Sequence, residues 1–244
     1  WDICIVSRWI EALAAVSNNK AIKRVYFWAH DMLYPMAIKE IYNNSNAFVT
    51  LTPTHAAMSF VEAWKYGAPR NPENEETVEL IIPNGVDLSL FSATPGERQH
   101  GKLVWTSNPN RGLFTAVRIF RKLRETWPFL ELHVYGRSSV YGWDASSAAG
   151  EWAYMPEANE PNVFVHEPLS KPELAKELQR SWAWYYPNNY FETSSIAALE
   201  AQAAGCPVIA NNFGALRDTV RSTTLCHPRN FHERIEQLLD PTEY

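Results

Sequence analysis

The chain has 244 residues, 46% of them hydrophobic, with 22 Lys plus Arg against 27 Asp plus Glu and a formal net charge of −5. At about 100–200 residues per domain this length accommodates one large domain or two small ones. The mild acidity gives no global attraction to phosphate backbones or anionic lipid, which excludes nucleic acid and membrane surfaces as first expectations and leaves room only for a local basic pocket.

Short β-rich apolar runs alternate with segments of helical period from end to end, the pattern of βα units around parallel sheets. In the first part the predicted strands are Ile3–Val6, Arg24–Trp28, Phe48–Leu51 and Leu80–Ile82. The clearest helix runs from Thr54 to Tyr66, with Thr54 as its N-cap and Gly67 and Pro69 as its stop. The stretch from Phe91 to Lys102 is short of apolar residues and holds Pro95 and Gly96, so it is the linker, dividing the chain into domains 1–94 and 95–244. The βα pattern then restarts with Leu103–Thr106, Leu130–Tyr135, Asn162–His166, Trp184–Tyr186 and Val208–Ala210, and a last short strand is expected near Thr224. Residues Ser138–Pro161 are rich in Gly, Ser and aromatics with weak periodicity, which predicts an irregular surface excursion.

No run approaches the ~18–20 consecutive apolar residues of a membrane-spanning helix, and the N-terminal residues lack the basic-then-apolar order of a secretory signal. A soluble cytoplasmic protein is the expectation. Cys4, Cys206 and Cys226 include no Cys-x-x-Cys pair, so they read as reduced, mostly buried thiols rather than a disulfide framework or a zinc site.

The most informative stretch is Asn189-Tyr-Phe-Glu-Thr-Ser-Ser-Ile-Ala-Ala-Leu-Glu200, continuing to Ala210. With the strand before it, it reads as strand, loop, helix, then strand. Glu192, Thr193, Ser194 and Ser195 fall where the helix is expected to begin, where free backbone N–H groups and the positive dipole end attract an anion. Glu200 follows Glu192 by eight residues, ~12 Å along a helix axis and roughly 80° around it, so the two carboxylates would grip opposite ends of one elongated ligand. Glu200 also sits among Ile196, Ala197, Leu199, Ala203 and Ala204, and a buried carboxylate needs a partner.

This Glu-x7-Glu segment with its Ala-x-Ala-Ala-Gly-x-Pro-Val-Ile-Ala continuation resembles the signature of retaining glycosyltransferases of the GT-B fold, the glycogen-synthase-like family 4 group. Ile82-Pro-Asn-Gly-Val-Asp87 and Asn212-Phe-Gly-Ala-Leu-Arg-Asp-Thr-Val220 resemble two further elements of that family, in the right order. The resemblance implies an α/β GT-B protein with two Rossmann-like doubly wound domains facing a cleft, a reduced acceptor-side domain 1–94 and a nucleotide-sugar donor-binding domain 95–244. It implies a nucleotide-diphospho-sugar donor, UDP- or GDP-linked, and a carbohydrate, lipid or small-molecule acceptor.

Residue by residue, the resemblance implies that Arg111 neutralises the departing diphosphate, Glu192 meets the donor sugar and Glu200 the ribose hydroxyls. Thr193, Ser194 and Ser195 align with the turn whose amides approach the diphosphate. His30 matches a histidine facing the donor sugar, and the backbone near Val165, His166 and Pro168 lies where the family holds the nucleobase. Where the family has a second basic residue in a Gly-Arg pair this chain has Thr106 and Ser107, so hydroxyl and backbone donors would complete the phosphate clamp, with Arg137 as another candidate. Trp143, Trp152 and Tyr154 are the aromatic candidates for acceptor contact.

No Asp-x-Asp occurs, so no metal or other cofactor is expected; fixed positive charge and a helix terminus would replace the ion. The family usually begins with several further βα units, so the N-terminal domain reads as reduced. Its uncovered surface implies either a minimal form pairing as a homo-oligomer or a fragment of a longer protein. The competing reading is a nucleotide-sugar-binding protein, or an inactive transferase serving as an interaction module.

Overall fold

Four parallel strands in the order β1-β2-β3-β4 form the first sheet. They alternate with helices: β1 (Ile3–Ser7), α1 (Ile10–Ser17), β2 (Arg24–Trp28), α2 (Pro35–Asn44), β3 (Ala47–Thr50), α3 (Pro53–Lys65) and β4 (Val78–Ile81). The computed structural model describes residues 2–33, 35–65, 78–91, 97–136, 160–221 and 225–239. Position in the sheet decides burial here. All four residues of the inner strand β3 are buried, whereas the edge strands leave Ile3, Ile5, Val78, Leu80 and Ile81 exposed. The core of this unit gathers Val6, Leu13, Val25, Phe27, Ile38, Ile41 and Phe48. Helix α3 starts one residue before the expected Thr54: the Thr52 hydroxyl accepts from the His55 N–H at 3.0 Å and Pro53 opens the first turn. A proline there loses no helical hydrogen bond, and the threonine before it satisfies one of the free donors.

The second sheet has six parallel strands in the order β10-β9-β8-β5-β6-β7. Its elements are α4 (Leu88–Phe91), β5 (Gln99–Trp105), a 3-10 turn Pro109–Arg111, α5 (Leu113–Thr126), β6 (Glu131–Val134) and β7 (Val163–Val165). They continue with α6 (Lys171–Arg180), β8 (Ser181–Tyr186), α7 (Ile196–Ala203), β9 (Val208–Asn211), α8 (Leu216–Thr219), β10 (Leu225–Cys226) and α9 (Phe231–Leu239). Helix α5 buries Leu113, Ala116, Val117, Phe120 and Leu123, the three-and-four spacing that keeps one helical face against the sheet. Helix α6 is opened by a capping box in which Ser170 and Glu173 satisfy each other's backbone. Strand β8 is buried along its whole length.

Strand β5 begins at Gln99, inside the stretch expected to be linker. Its polar start is tolerated because Gln99 and His100 are exposed and Lys102, although buried, has its charge met: Lys102 Nζ lies 2.6 Å from Glu177 Oε1. Glu177 also accepts from the Tyr135 hydroxyl at 2.8 Å and from Arg180 Nε at 2.6 Å. Burial by itself would raise the Glu177 pKa, but Lys102, Tyr135 and Arg180 together hold it below the ordinary carboxylate value.

By their contacts the residues form two compact units, Trp1–Asn84 with Glu192–Ser194, and Gly85–Phe191 with Ser195–Tyr244. The α/β class with two parallel sheets is therefore as expected. The 94/95 domain division, Gly67, Pro69, Arg137, Trp143, Trp152 and Tyr154 lie outside the described residues. All three cysteines are free, and Cys206 and Cys226 are buried. Among the described residues no helix is long and apolar enough to cross a membrane.

Candidate functional site

In the second sheet the chain runs from β5 outward to β6 and β7 on one side and from β8 outward to β9 and β10 on the other. The connections leaving the C-terminal ends of β5 and β8 therefore diverge and open a crevice, the place where open parallel sheets bind ligands. Two loops flank it, residues 106–112 after β5 and residues 187–195 after β8.

These loops are fixed by backbone bonds and by indole donors. The Asn189 N–H donates to the Arg111 carbonyl at 3.1 Å. Trp184 Nε1 donates to Thr106 Oγ1 at 2.9 Å, and Trp105 Nε1 to the Ser107 carbonyl at 2.8 Å. Two glycines permit the close approach. A Cβ on Gly136 would stand 1.7 Å from the Ser107 carbonyl oxygen, and Gly112, at φ +110°, would place one 2.6 Å from the Asn189 nitrogen. Arg111 lies with its guanidinium carbon 4.7 Å from the centroid of the Tyr190 ring, a cation held against an aromatic face.

A cavity of about 180 Å³ at this edge is lined by Ser107, Pro168 and Glu200 together with Thr106, Tyr135 and Lys171 among others. Three of the expected donor-binding residues thus share one pocket. The partner that a buried Glu200 requires is Lys171: its ammonium pairs with Glu200 Oε1, the lysine being half-exposed and the glutamate only 5% exposed. Lys171 was not singled out from the sequence. It is the first residue of α6, just past the loop that follows the C-terminal end of β7, and that position was the one available signal.

His166 lies beside the cavity rather than in its lining. Its ring stacks on Tyr135 with centroids 4.6 Å apart and 14° between planes, and its Nε2 is 2.9 Å from His133 Nδ1. The imidazole of His133 continues to Glu131 Oε2 at 3.1 Å. Burial lowers the pKa of both histidines. The His166 backbone N–H is spent on the Val134 carbonyl at 2.9 Å.

Helix α7 begins at Ile196, with Ser195 as its N-cap accepting from the Ala198 N–H at 3.4 Å. Glu192, Thr193 and Ser194 precede the helix in irregular backbone, so the expected helical phase between Glu192 and Glu200 does not apply. The helix was expected to begin at Glu192–Ser195, but the cap is made by Ser195, one residue before Ile196. Glu192 is 1% exposed.

In the first unit, the Thr193 hydroxyl donates to the His30 carbonyl at 2.7 Å and the Thr52 hydroxyl donates to the Thr193 carbonyl at 3.0 Å. The His30 ring lies 5.4 Å from that of Trp28. Burial and, less strongly, Arg8 lower the His30 pKa, while Asp31 opposes them. The structure therefore groups His30, Glu192, Thr193 and Ser194 in one unit and Ser107, Arg111, His166, Pro168, Ser195 and Glu200 in the other.

Two parallel βα units, the second with a ligand crevice at its strand-order switch, define the class as a GT-B fold. Residues 104–243 match the family profile "Glycosyl transferases group 1", and the chain belongs to that family. It is 26% identical over 183 residues to a D-inositol 3-phosphate glycosyltransferase of Paenarthrobacter aurescens, covering 67% of this chain and 43% of that protein. It is 27% identical over 173 residues to a glycogen synthase of Mycobacterium tuberculosis, covering 64% of this chain and 40% of the synthase. The match thus spans about two fifths of the length of these curated relatives. Among solved structures, Anabaena Alr3699/HepE in complex with UDP and glucose has the same fold, with a TM-score of 0.70 at 15% identity over 100% of this chain and 70% of that one.

Proposed function

We propose that the protein is a retaining glycosyltransferase of the family 4 type that moves a sugar from a UDP- or GDP-sugar to an acceptor hydroxyl without a metal. The observation that carries this reading is the cavity that brings Ser107, Pro168 and the buried Glu200 together at the switch point, next to the loop holding Arg111. The nucleoside occupies that cavity, with Glu200 accepting from the ribose hydroxyls. Arg111 and the free amides at the start of α7 stabilise the charge that grows on the departing diphosphate, and this electrostatic term dominates the acceleration. The bond from the anomeric carbon to the phosphate oxygen breaks as the bond to the acceptor oxygen forms on the same face. The acceptor's proton passes to the leaving phosphate. Glu192 and His30 are the residues expected to meet the donor sugar. The relative solved with UDP and glucose supports a uridine donor, and the two curated relatives support a glycosyltransferase activity.

The test is a thermal-shift screen with UDP-, GDP- and ADP-sugars followed by measurement of nucleotide release from any binder, with and without acceptor. A shift with release establishes the reading. A shift without release leaves a nucleotide-sugar-binding protein, and no shift with any of the three removes the donor site itself.

A further inference from the structure

Among the described lining of the cavity of about 180 Å³, Lys171 and Glu200 are the charged residues, and they pair with each other. The pair leaves hydrogen-bonding capacity on both sides. Lys171 engages Glu200 Oε1, whereas Oε2 meets no donor among the described residues. Nor is Oε2 sealed off: the enclosed side-chain atoms without a partner lie elsewhere, on Trp28, Thr50, Ser59, Arg98, Arg124 and Asn188. It is an acceptor open to the cavity that Glu200 lines. An ammonium has three donors. Among the described residues Lys171 spends one, on Glu200, and its side chain is 57% exposed beside a glutamate side chain that is 7% exposed.

The local helix does not call for a cation here. Lys171 is the first residue of α6, the end where the helix dipole favours acids, and the cap is made by Ser170 with Glu173. The neighbouring carboxylate Glu177, which holds the Tyr135 hydroxyl, is already met by Lys102 and Arg180. Lys171 thus answers Glu200 and the cavity. A donor and an acceptor side by side complement a vicinal diol, because each hydroxyl both gives and takes a hydrogen bond. A carboxylate alone would only accept. A deoxy position would leave part of the pair unsatisfied, and a phosphate ester on the diol would set its charge against Glu200.

We infer that Lys171 is a specificity-determining residue that reads, with Glu200, the free vicinal diol of a ribonucleotide: its ammonium donates to one hydroxyl oxygen while Glu200 Oε2 accepts from the diol. The inference rests on the placement of the nucleoside in this cavity proposed above. Calorimetric titration of the 244-residue chain with UDP, GDP and ADP is expected to show binding of at least one. The 2′,3′-dideoxy form of that nucleotide is expected to bind about 100-fold more weakly, about tenfold for each of two charge-assisted bonds. In Lys171→Met one of those bonds is lost and the ratio falls to about tenfold, while Lys171→Arg, which keeps a charged donor, holds it within about threefold of the unaltered value. The ratio isolates the diol. Loss of a positive charge weakens the attraction for both diphosphates alike and cancels, as does any general loosening of the fold.

An unaltered ratio in Lys171→Met, or one as low in Lys171→Arg as in Lys171→Met, overturns the inference and leaves the transfer reading standing. Binding of none of the three nucleotides removes the donor site and this inference with it. Should Lys171→Met fail to fold, the ε-methylene NMR signal of Lys171 in the unaltered chain decides: it moves with the ribonucleotide and much less with the dideoxy form, or the inference is wrong.

Discussion

In the first unit the apolar strand β1, Ile3-Cys-Ile-Val-Ser7, leaves two isoleucines in water, whereas in the second unit the equally apolar β9, Val208-Ile-Ala-Asn211, is buried throughout. The contrast extends to charge. In the second unit Lys102 and Glu177 are both buried, with Tyr135 and Arg180 completing the carboxylate's hydrogen bonds. The described charged residues of the first unit are solvated apart from the enclosed Glu192. A strand's place in the sheet order, more than its own hydrophobicity, decides whether it is covered. A charge can be buried only where a full set of partners has been assembled around it.

The largest expected effect tests the second half of that contrast. Lys102→Ala leaves Glu177 buried beside fewer cations and is expected to cost about 3–5 kcal/mol. Amide hydrogen exchange should show this loss in β5, β6 and β8 with β2 and β3 unaffected. An equal loss in both sheets would show that the units unfold as one.

Arg111→Ala should then lower sugar transfer by about 100-fold or more if the guanidinium supplies preorganised charge. Near-normal nucleotide release in that variant would take Arg111 out of the mechanism. Gly136→Ala forces a Cβ onto the Ser107 carbonyl and is expected to cost about 1–3 kcal/mol by overpacking, with weakened nucleotide-sugar binding as the loop shifts. Unchanged melting and binding would mean that the loop moves freely.

Acidification separates the units in a different way. Burial depresses His30 and His55 in the first unit and His133 and His166 in the second below the ordinary 6.5. The unfolded chain therefore takes up protons first, and stability present above about pH 6.5 is lost in both units as pH falls towards the folded values. Glu177, depressed below the ordinary 4.5, adds a contribution confined to the second unit that is present above that value and lost as pH falls through its folded value. Assigned amide signals followed through an acid titration should show this second, lower limb only in the six-stranded sheet. The smallest effect is Thr52→Ala, which removes the α3 cap at a cost of about 1 kcal/mol. It should appear as faster exchange in the first turn of α3.

Features written in consecutive residues were legible in the sequence. The strand–helix alternation placed nearly every strand within a few residues of its observed position. Thr52 and Pro53 carry an equally local signal, two residues and one residue before the expected cap Thr54. The helical phase expected between Glu192 and Glu200 does not hold, for a different reason. Eight residues separate the two, and a count cannot reveal that the helix begins only after Ser195. The Lys171–Glu200 pair joins residues 29 apart, and no local rule links them.

Taken alone, the sequence determined the alternation of strands and helices, the two-part organisation of the fold and the residue types proposed to bind a sugar nucleotide. These depend on short-range periodicity and turn chemistry. Only the tertiary structure decided which strands became central, that Lys171 answers Glu200, that Gly136 lets the β5 loop lie against the sheet end, and that two asparagine pairs, at the ends of β8 and β9, line one cavity. Each of these is a contact between residues distant in sequence, and it exists because the order of strands in the sheet brings their C-terminal ends together.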